Sequence, residues 1–393
     1  MKVLYVTTLA LEYNSPATIR NIALINGFIS LGCEVDTLSV EPDPRSSGFD
    51  ASLALDGVRH DYRVPVSGQY RAFTSKSHSK AVSLTALKRH LVNALRRLYL
   101  RVETYDGLKV SVKNLHKVPI RYDHYDVVIS SSDPRSSHLL AEEFMKLYPG
   151  CAERWIQYWG DPMYADITRQ HLMPGVLKSE EARLLSSADR IVYVSPLTQE
   201  ANRRLYPSNG DKMVSIPPAY IKENWSSSRN SNPIPVVGYF GSYRSDTRNI
   251  LPLYNASVSG LFHLEVVGGG DIILGARPNV SISKRVSLSE ARCKEAESDV
   301  LVCICNLKGT QIPSKVYYYA SSDKPILVIL DGESEAIRRY LEPYDRYVFC
   351  ENTSESILKA ITEISAGIKK AEFRPVKEFS SENVARKFLH LLE

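Results

Sequence analysis

A chain of 393 residues is too long for one compact core and implies about two domains. Its 44% hydrophobic and 24% charged content is ordinary for a soluble globular protein, and no apolar run approaches the roughly 20 residues of a membrane-spanning helix. The net charge of +5 conceals an asymmetry: residues 71–117 hold eleven Lys/Arg against two acids, Glu103 and Asp106, so the rest of the chain is net negative and the partner this basicity implies is local. Met1 to Val6 runs straight into a strand with no signal-peptide layout. The six cysteines lie far apart, and Cys303-Ile304-Cys305 alternates along a strand instead of making a zinc-type spacing. They are read as reduced, cytoplasmic and structural, and no metal site is expected.

Lys2 to Thr7 reads as an apolar strand. Pro16 to Leu31 follows as a helix, with Ile19, Ile22, Ala23, Ile25, Phe28 and Ile29 at helical spacing. Gly32 stops it, and Glu34 to Val40 is the next strand. Strand, loop, helix, strand opens a doubly wound α/β domain, whose ligands are expected at the carboxyl ends of its strands. The loop lacks GxGxxG, so no dinucleotide site is expected. Arg20, one turn into the helix, either faces the cleft or lies on the surface.

Asp43 to Tyr70 reads as irregular. From Leu84 to Val102 the apolar positions 84, 87, 91, 95, 98 and 102 form a helical stripe flanked by Lys88, Arg89, Arg96, Arg97 and Arg101. Two readings stand side by side: a core-packed helix with a solvated basic face, or an interfacial helix on an anionic bilayer, where each basic residue contributes ~1 kcal/mol. Nucleic-acid binding is the weaker third, because no nucleic-acid motif accompanies the charge.

Asp126 to Ser131, Trp155 to Trp159, Arg190 to Ser195 and Met213 to Ile216 continue the strands, with a helix from Ser136 through Leu147 and another ending near Ala188. Each strand ends in a polar or Gly/Pro loop, so one sheet edge carries Ser131-Ser132, Asp161 and Ser195. Asp161 follows a strand beside two tryptophans that would lower the local dielectric and raise its pKa; the alternative is an Asp-Pro turn or helix cap.

Residues 226–235 have linker composition. Beyond them Val236 to Gly241 restarts a strand, followed by a helix over roughly Asn249 to Ser257, a strand from Leu264 to Val267 with Gly268-Gly269-Gly270 after it, a short strand from Val280 to Ser283 and a helix from Glu290 to Ser298. Asp299 to Cys305 is a buried strand. A loop through Gly309 and Ile312-Pro313 then leads, with Ser314 as a candidate cap, into a helix over Val316 to Ser321 and a last apolar run, Ile326 to Ile329. That arrangement aims backbone N–H groups and Lys315 at an anion. Ser381 to Leu392 reads as the last helix. The domains are thus 1–225, a linker at 226–235, 236–375, and a C-terminal helix within 376–393 packing back towards the first domain.

Two Rossmann-like halves with the segments ISSSDPRSSHLLAEEF, WIQYWGDP, SSADRIVYVSPLT, KMVSIPPAY, VVGYFGSY and IPSKVYYYASSDKPILVI resemble a glycosyltransferase of the GT-B fold, and within it the large retaining family 4 of bacterial polysaccharide and lipopolysaccharide assembly. The resemblance covers nearly the whole chain. It implies a nucleotide-sugar donor on the C-terminal domain, a glycan or lipid-linked acceptor on the N-terminal domain, and neither cofactor nor metal. Carried over, the donor diphosphate would meet Gly241, Ser242 (where the family has arginine), Arg248 (where it has lysine), Gln311, Ile312, Pro313, Ser314 and Lys315. The family's two glutamates fall on Thr310 and Tyr318, whose hydroxyls offer only neutral hydrogen bonds. Asp161 would serve as acceptor base or stabiliser of an oxocarbenium-like transition state, with Arg20, Ser132, Asp133 and His138 on the acceptor side. With the basic stripe, these features imply a cytoplasmic protein, peripheral on the inner face of the membrane, with no nucleic-acid partner. A nucleotide-sugar epimerase relative and a non-catalytic partner subunit are the alternatives.

Overall fold

The computed structural model describes residues 1–46, 48–53, 55–68, 101–121, 123–168, 171–221, 234–367 and 373–393. The described part of the first lobe is a seven-stranded sheet in the order β3-β2-β1-β4-β5-β6-β7. Its strands are β1 (Lys2–Val6), β2 (Glu34–Val40), β3 (His60–Val64), β4 (Tyr125–Ser131), β5 (Ala152–Trp159), β6 (Arg190–Tyr193) and β7 (Met213–Ser215), and every pairing is parallel. The helices that cover it are α1 (Pro16–Ser30), α2 (Lys109–Val112), α3 (Ser136–Leu147), α4 (Pro174–Ser187) and α5 (Pro196–Leu205). The second lobe is a six-stranded parallel sheet, order β10-β9-β8-β11-β12-β13. It comprises β8 (Val236–Tyr243), β9 (His263–Gly270), β10 (Val280–Ser283), β11 (Val300–Ile304), β12 (Ile326–Leu330) and β13 (Tyr347–Glu351), with α6 (Leu251–Ala256), α7 (Leu288–Glu297), α8 (Lys315–Tyr319), α9 (Ser334–Leu341) and α10 (Ser354–Gly367). A last helix, α11 (Ser381–Leu389), closes the chain.

The unbroken apolar strands follow from burial on both faces. Along β1, Val3 and Tyr5 enter one core cluster while Leu4 and Val6 enter another. Along β11, Val300, Val302 and Ile304 face one core of the second lobe, and Leu301 and Cys303 the other. Between β8 and β9 the glycine run acts through close approach: a Cβ on Gly268 would stand 2.0 Å from the Gly241 carbonyl oxygen, and Gly268 has φ +153°. Those glycines therefore belong to β9, not to a loop after it.

α11 returns to the first lobe and lies against α1. A Cβ on Gly27 would fall 2.1 Å from the Ser381 carbonyl oxygen, and Phe388 meets Phe28 and Tyr158 edge to face at 6.2 and 5.0 Å. Two further expectations need correction. The stretch read as irregular contains β3, an edge strand held by Arg59 and His60 on Asp36. The final helix stops at Leu389, three residues early. Of the basic stripe, only Arg101 and Val102 fall within the described residues, where both are exposed; Lys88, Arg89, Arg96 and Arg97 lie outside them. No described helix is long and apolar enough to cross a membrane.

Candidate functional site: the cleft between the lobes

The carboxyl ends of the two sheets meet across a cavity of about 370 Å³. The first lobe lines it with Arg20 from the start of α1, Asp133 after β4, and Gly160, Asp161, Ile167 and Thr168 after β5. The second lobe contributes Gly241 and Ser242 at the end of β8, Arg248 in the loop that follows, and Gln311 to Lys315 before and at the start of α8. The lobes touch here: a Cβ on Gly309, whose φ is +81°, would strike Ile167 Cγ2 at 2.4 Å.

On the second lobe, Arg248 Nη2 donates to Asn306 Oδ1 at 2.9 Å and Nη1 to the Ser242 carbonyl at 3.4 Å, while Asn306 Nδ2 donates to the Gln311 carbonyl at 3.0 Å. This chain of bonds ties the loop after β8 to the loop after β11 and fixes the guanidinium at the cavity wall. Its Nε is buried without a hydrogen-bond partner among the described residues. The Lys315 ammonium forms an ion pair with Glu295 of α7, and its Nζ lies 4.8 Å from the Tyr319 ring centroid. Arg248 and Lys315 thus stand on one wall. Arg244, which sequence reading did not single out, also lines the cavity and pairs with Asp246 at 2.9 Å.

Three second-lobe expectations change. Helix α8 has only five residues, and the Ser314 side chain does not cap it; the Ser314 carbonyl accepts from Tyr317 and Tyr318 N–H at 3.1 Å each. The Thr310 hydroxyl lies 3.0 Å from that of Thr198, and the Thr310 carbonyl accepts from Ser195 and Thr198 at 3.2 and 3.1 Å. Thr310 therefore pins the two lobes together and does not line the cavity. The Tyr318 hydroxyl accepts from Arg292 Nε at 3.2 Å, also off the cavity wall.

On the first lobe, Arg20 is buried, not a surface residue. Its guanidinium bonds Ser131 Oγ at 3.3 Å and the Ser132 carbonyl, and lies 4.8 Å above the Tyr158 ring. Gly160 leaves room for it, since a Cβ there would stand 2.3 Å from Arg20 Nη1. Arg135, also missed from sequence although it stands two places after Asp133, binds Asp166 and the Pro162 carbonyl and so folds the loop beyond Asp161. Asp166 in turn accepts from Thr168 N and Oγ1 at 2.8 and 2.7 Å.

Asp133 is the carboxyl whose protonation this wall favours. Burial raises its pKa first and the neighbouring Asp161 carboxylate raises it further, with Arg135 and Arg20 opposing. The two tryptophans sit in the core, Trp155 Nε1 on Ser130 Oγ at 2.8 Å and Trp159 Nε1 on Gln157 Oε1 at 3.1 Å. Ser132 is wholly buried; its hydroxyl accepts from Gly160 N–H at 3.2 Å, and it does not line the cavity. His138 is likewise buried, with Nδ1 2.8 Å from Ser130 Oγ and its ring centroid 4.2 Å from that of Trp159. Burial pushes its pKa down to about 3, so it stays neutral and packs the core.

The cleft therefore sets Arg248 and Lys315 of the second lobe across from Arg20, Asp133 and Asp161 of the first. No family model matches the chain, and no curated protein is similar to it in sequence. Solved structures do resemble it along its whole length. TarM superposes with a TM-score of 0.62 at 10% identity, covering 100% of this chain and 98% of that one. Anabaena Alr3699/HepE in complex with UDP-glucose gives 0.58 at 10%, over 100% and 99%. A glycosyltransferase from Rickettsia africae ESF-5 gives 0.56 at 14%, over 100% and 97%. The fold is GT-B: two parallel-sheet α/β lobes facing each other across a cleft.

Proposed function

We propose that the protein is a glycosyltransferase that moves a sugar from a nucleotide-sugar donor to a hydroxyl of a glycan or lipid-linked glycan in cell-surface polysaccharide synthesis, with retention and without a metal. One observation carries this reading: Arg248 and Lys315 stand on one side of a single cavity, and Asp133 and Asp161 on the other. A departing nucleoside diphosphate needs its charge neutralised, and fixed cations in a partly dry cleft do this without reorganising. The planar Arg248 guanidinium suits two phosphate oxygens at once. The complex of HepE with UDP-glucose supports such a donor for this cleft.

Asp161 is the group assigned to the acceptor, either taking the proton from the attacking hydroxyl or facing the positive charge that grows on the sugar. Asp133, holding its proton, spares the cleft a second negative charge beside it. Arg20 positions the Ser132–Asp133 turn from beneath. The basic stripe from Lys88 to Arg101 would dock the first lobe on the inner face of an anionic membrane, where a lipid-linked acceptor resides.

Calorimetry tests the donor assignment. Wild type should bind UDP or GDP, and Arg248→Ala should weaken that binding by roughly 10- to 100-fold, the worth of a charged hydrogen-bonding group. Equal affinity in the two proteins would remove the assignment. Binding without sugar transfer to any supplied acceptor would favour the partner-subunit alternative.

A further inference from the structure

Lys315 does not present its whole charge to the cleft. Its ammonium is shared with Glu295, a residue of α7 whose side chain is 1% exposed against 33% for the lysine. The Tyr319 hydroxyl also donates to Glu295 Oε1, at 3.0 Å. The rings of Tyr319, Phe240 and Tyr318 surround the ammonium at 4.8, 5.6 and 5.7 Å. The lysine is thus gripped from behind by a carboxylate that was not among the family's two glutamates and that sequence reading did not single out.

We propose that Glu295 is a resident counter-ion that competes with the nucleotide's phosphates for Lys315: it holds the ammonium at the cavity wall in the empty protein and loosens the grip on the spent nucleoside diphosphate, so that product leaves. The inference rests on reading this cleft as the donor site. Glu295 is a positioning residue acting through Lys315. An ammonium has three N–H bonds, and a phosphate oxygen accepting a second one would stand roughly 4–5 Å from the Glu295 carboxylate. Like charges at that separation, away from bulk water, repel appreciably. Tyr319 offsets part of this by taking a share of the carboxylate's charge.

The test compares UDP and GDP, and the nucleosides uridine and guanosine, on wild type, Glu295→Gln and Tyr319→Phe by calorimetry. Glu295→Gln keeps the side chain's shape and removes its charge; it should tighten the diphosphate about tenfold and leave the nucleoside unchanged. Tyr319→Phe throws the whole carboxylate charge onto Lys315 and should weaken the diphosphate about two- to threefold, again sparing the nucleoside. This second variant keeps the test alive if Glu295→Gln fails to fold. Wild-type binding with diphosphate affinity unchanged or lowered in Glu295→Gln, or unchanged or raised in Tyr319→Phe, overturns the counter-ion alone. Failure of wild type to bind either diphosphate overturns the donor reading and the counter-ion with it.

Discussion

Replacing Asp133 with Asn should change how stability depends on pH. Burial and the facing Asp161 raise the Asp133 pKa from the ordinary 3.8 towards about 8. A carboxyl with a raised folded value binds its proton more tightly folded than unfolded. Its contribution to stability is therefore complete below 3.8 and is lost as pH rises towards and through about 8. Every tenfold gain in proton affinity on folding is worth about 1.4 kcal/mol. Discounted for the solvent that reaches the cavity wall, the loss between pH 5 and 9 should be ~2 kcal/mol. Asn cannot ionise, so Asp133→Asn should escape that loss. Urea unfolding of both proteins at pH 5, 7 and 9 and constant ionic strength would show the variant gaining on wild type by ~2 kcal/mol across the range. Titrations of groups that do not interact with Asp133 are common to both proteins and cancel in the difference, so the comparison reads the Asp133–Asp161 pair. A difference that stays flat with pH, or that grows in favour of wild type, would refute the protonated Asp133.

The remaining predictions concern packing and the basic stripe. Gly27→Ala places a methyl 2.1 Å from the Ser381 carbonyl oxygen, a backbone atom that cannot turn aside. It should cost ~1–3 kcal/mol and expose α11 to protease, measured by urea unfolding and limited proteolysis; an unchanged midpoint would contradict the tight α1–α11 contact. Changing Arg89, Arg96 and Arg97 together to Glu should release the protein from anionic liposomes in a flotation assay, and unchanged flotation would remove the membrane proposal while leaving the fold intact.

The architecture was legible where burial on both faces forces a continuous apolar run. Ile326 to Leu330 and Val300 to Ile304 could hardly be anything but central parallel strands, and the helix over Ser136 to Leu147 follows from its own periodicity. Edge strand β3 was not legible: His60-Asp61-Tyr62-Arg63 is polar, and its place is set by Arg59 and His60 on Asp36, 23 and 24 residues away. The cavity's residue types were visible as strand-end loops, because ligands of such sheets gather there. Their partners were not. Nothing near Lys315 in sequence announces Glu295, and nothing near Arg20 announces Ser132 or Gly160; such pairings arise only when the sheets close. Thr310 and Tyr318 show the same limit from the other side: the resemblance places the family's two glutamates on them, but the groups that bond them here, Thr198 and Arg292, belong to helices distant in the chain.

The last helix reaches further than its place in the chain suggests. Phe388 rests against Tyr158, and Tyr158 carries the Arg20 guanidinium on its face. Trimming the polypeptide before Ser381 would leave that tyrosine unsupported from below and let the arginine sag away from the acidic rim. The tail is in effect the foundation stone of the first-lobe side of the cavity.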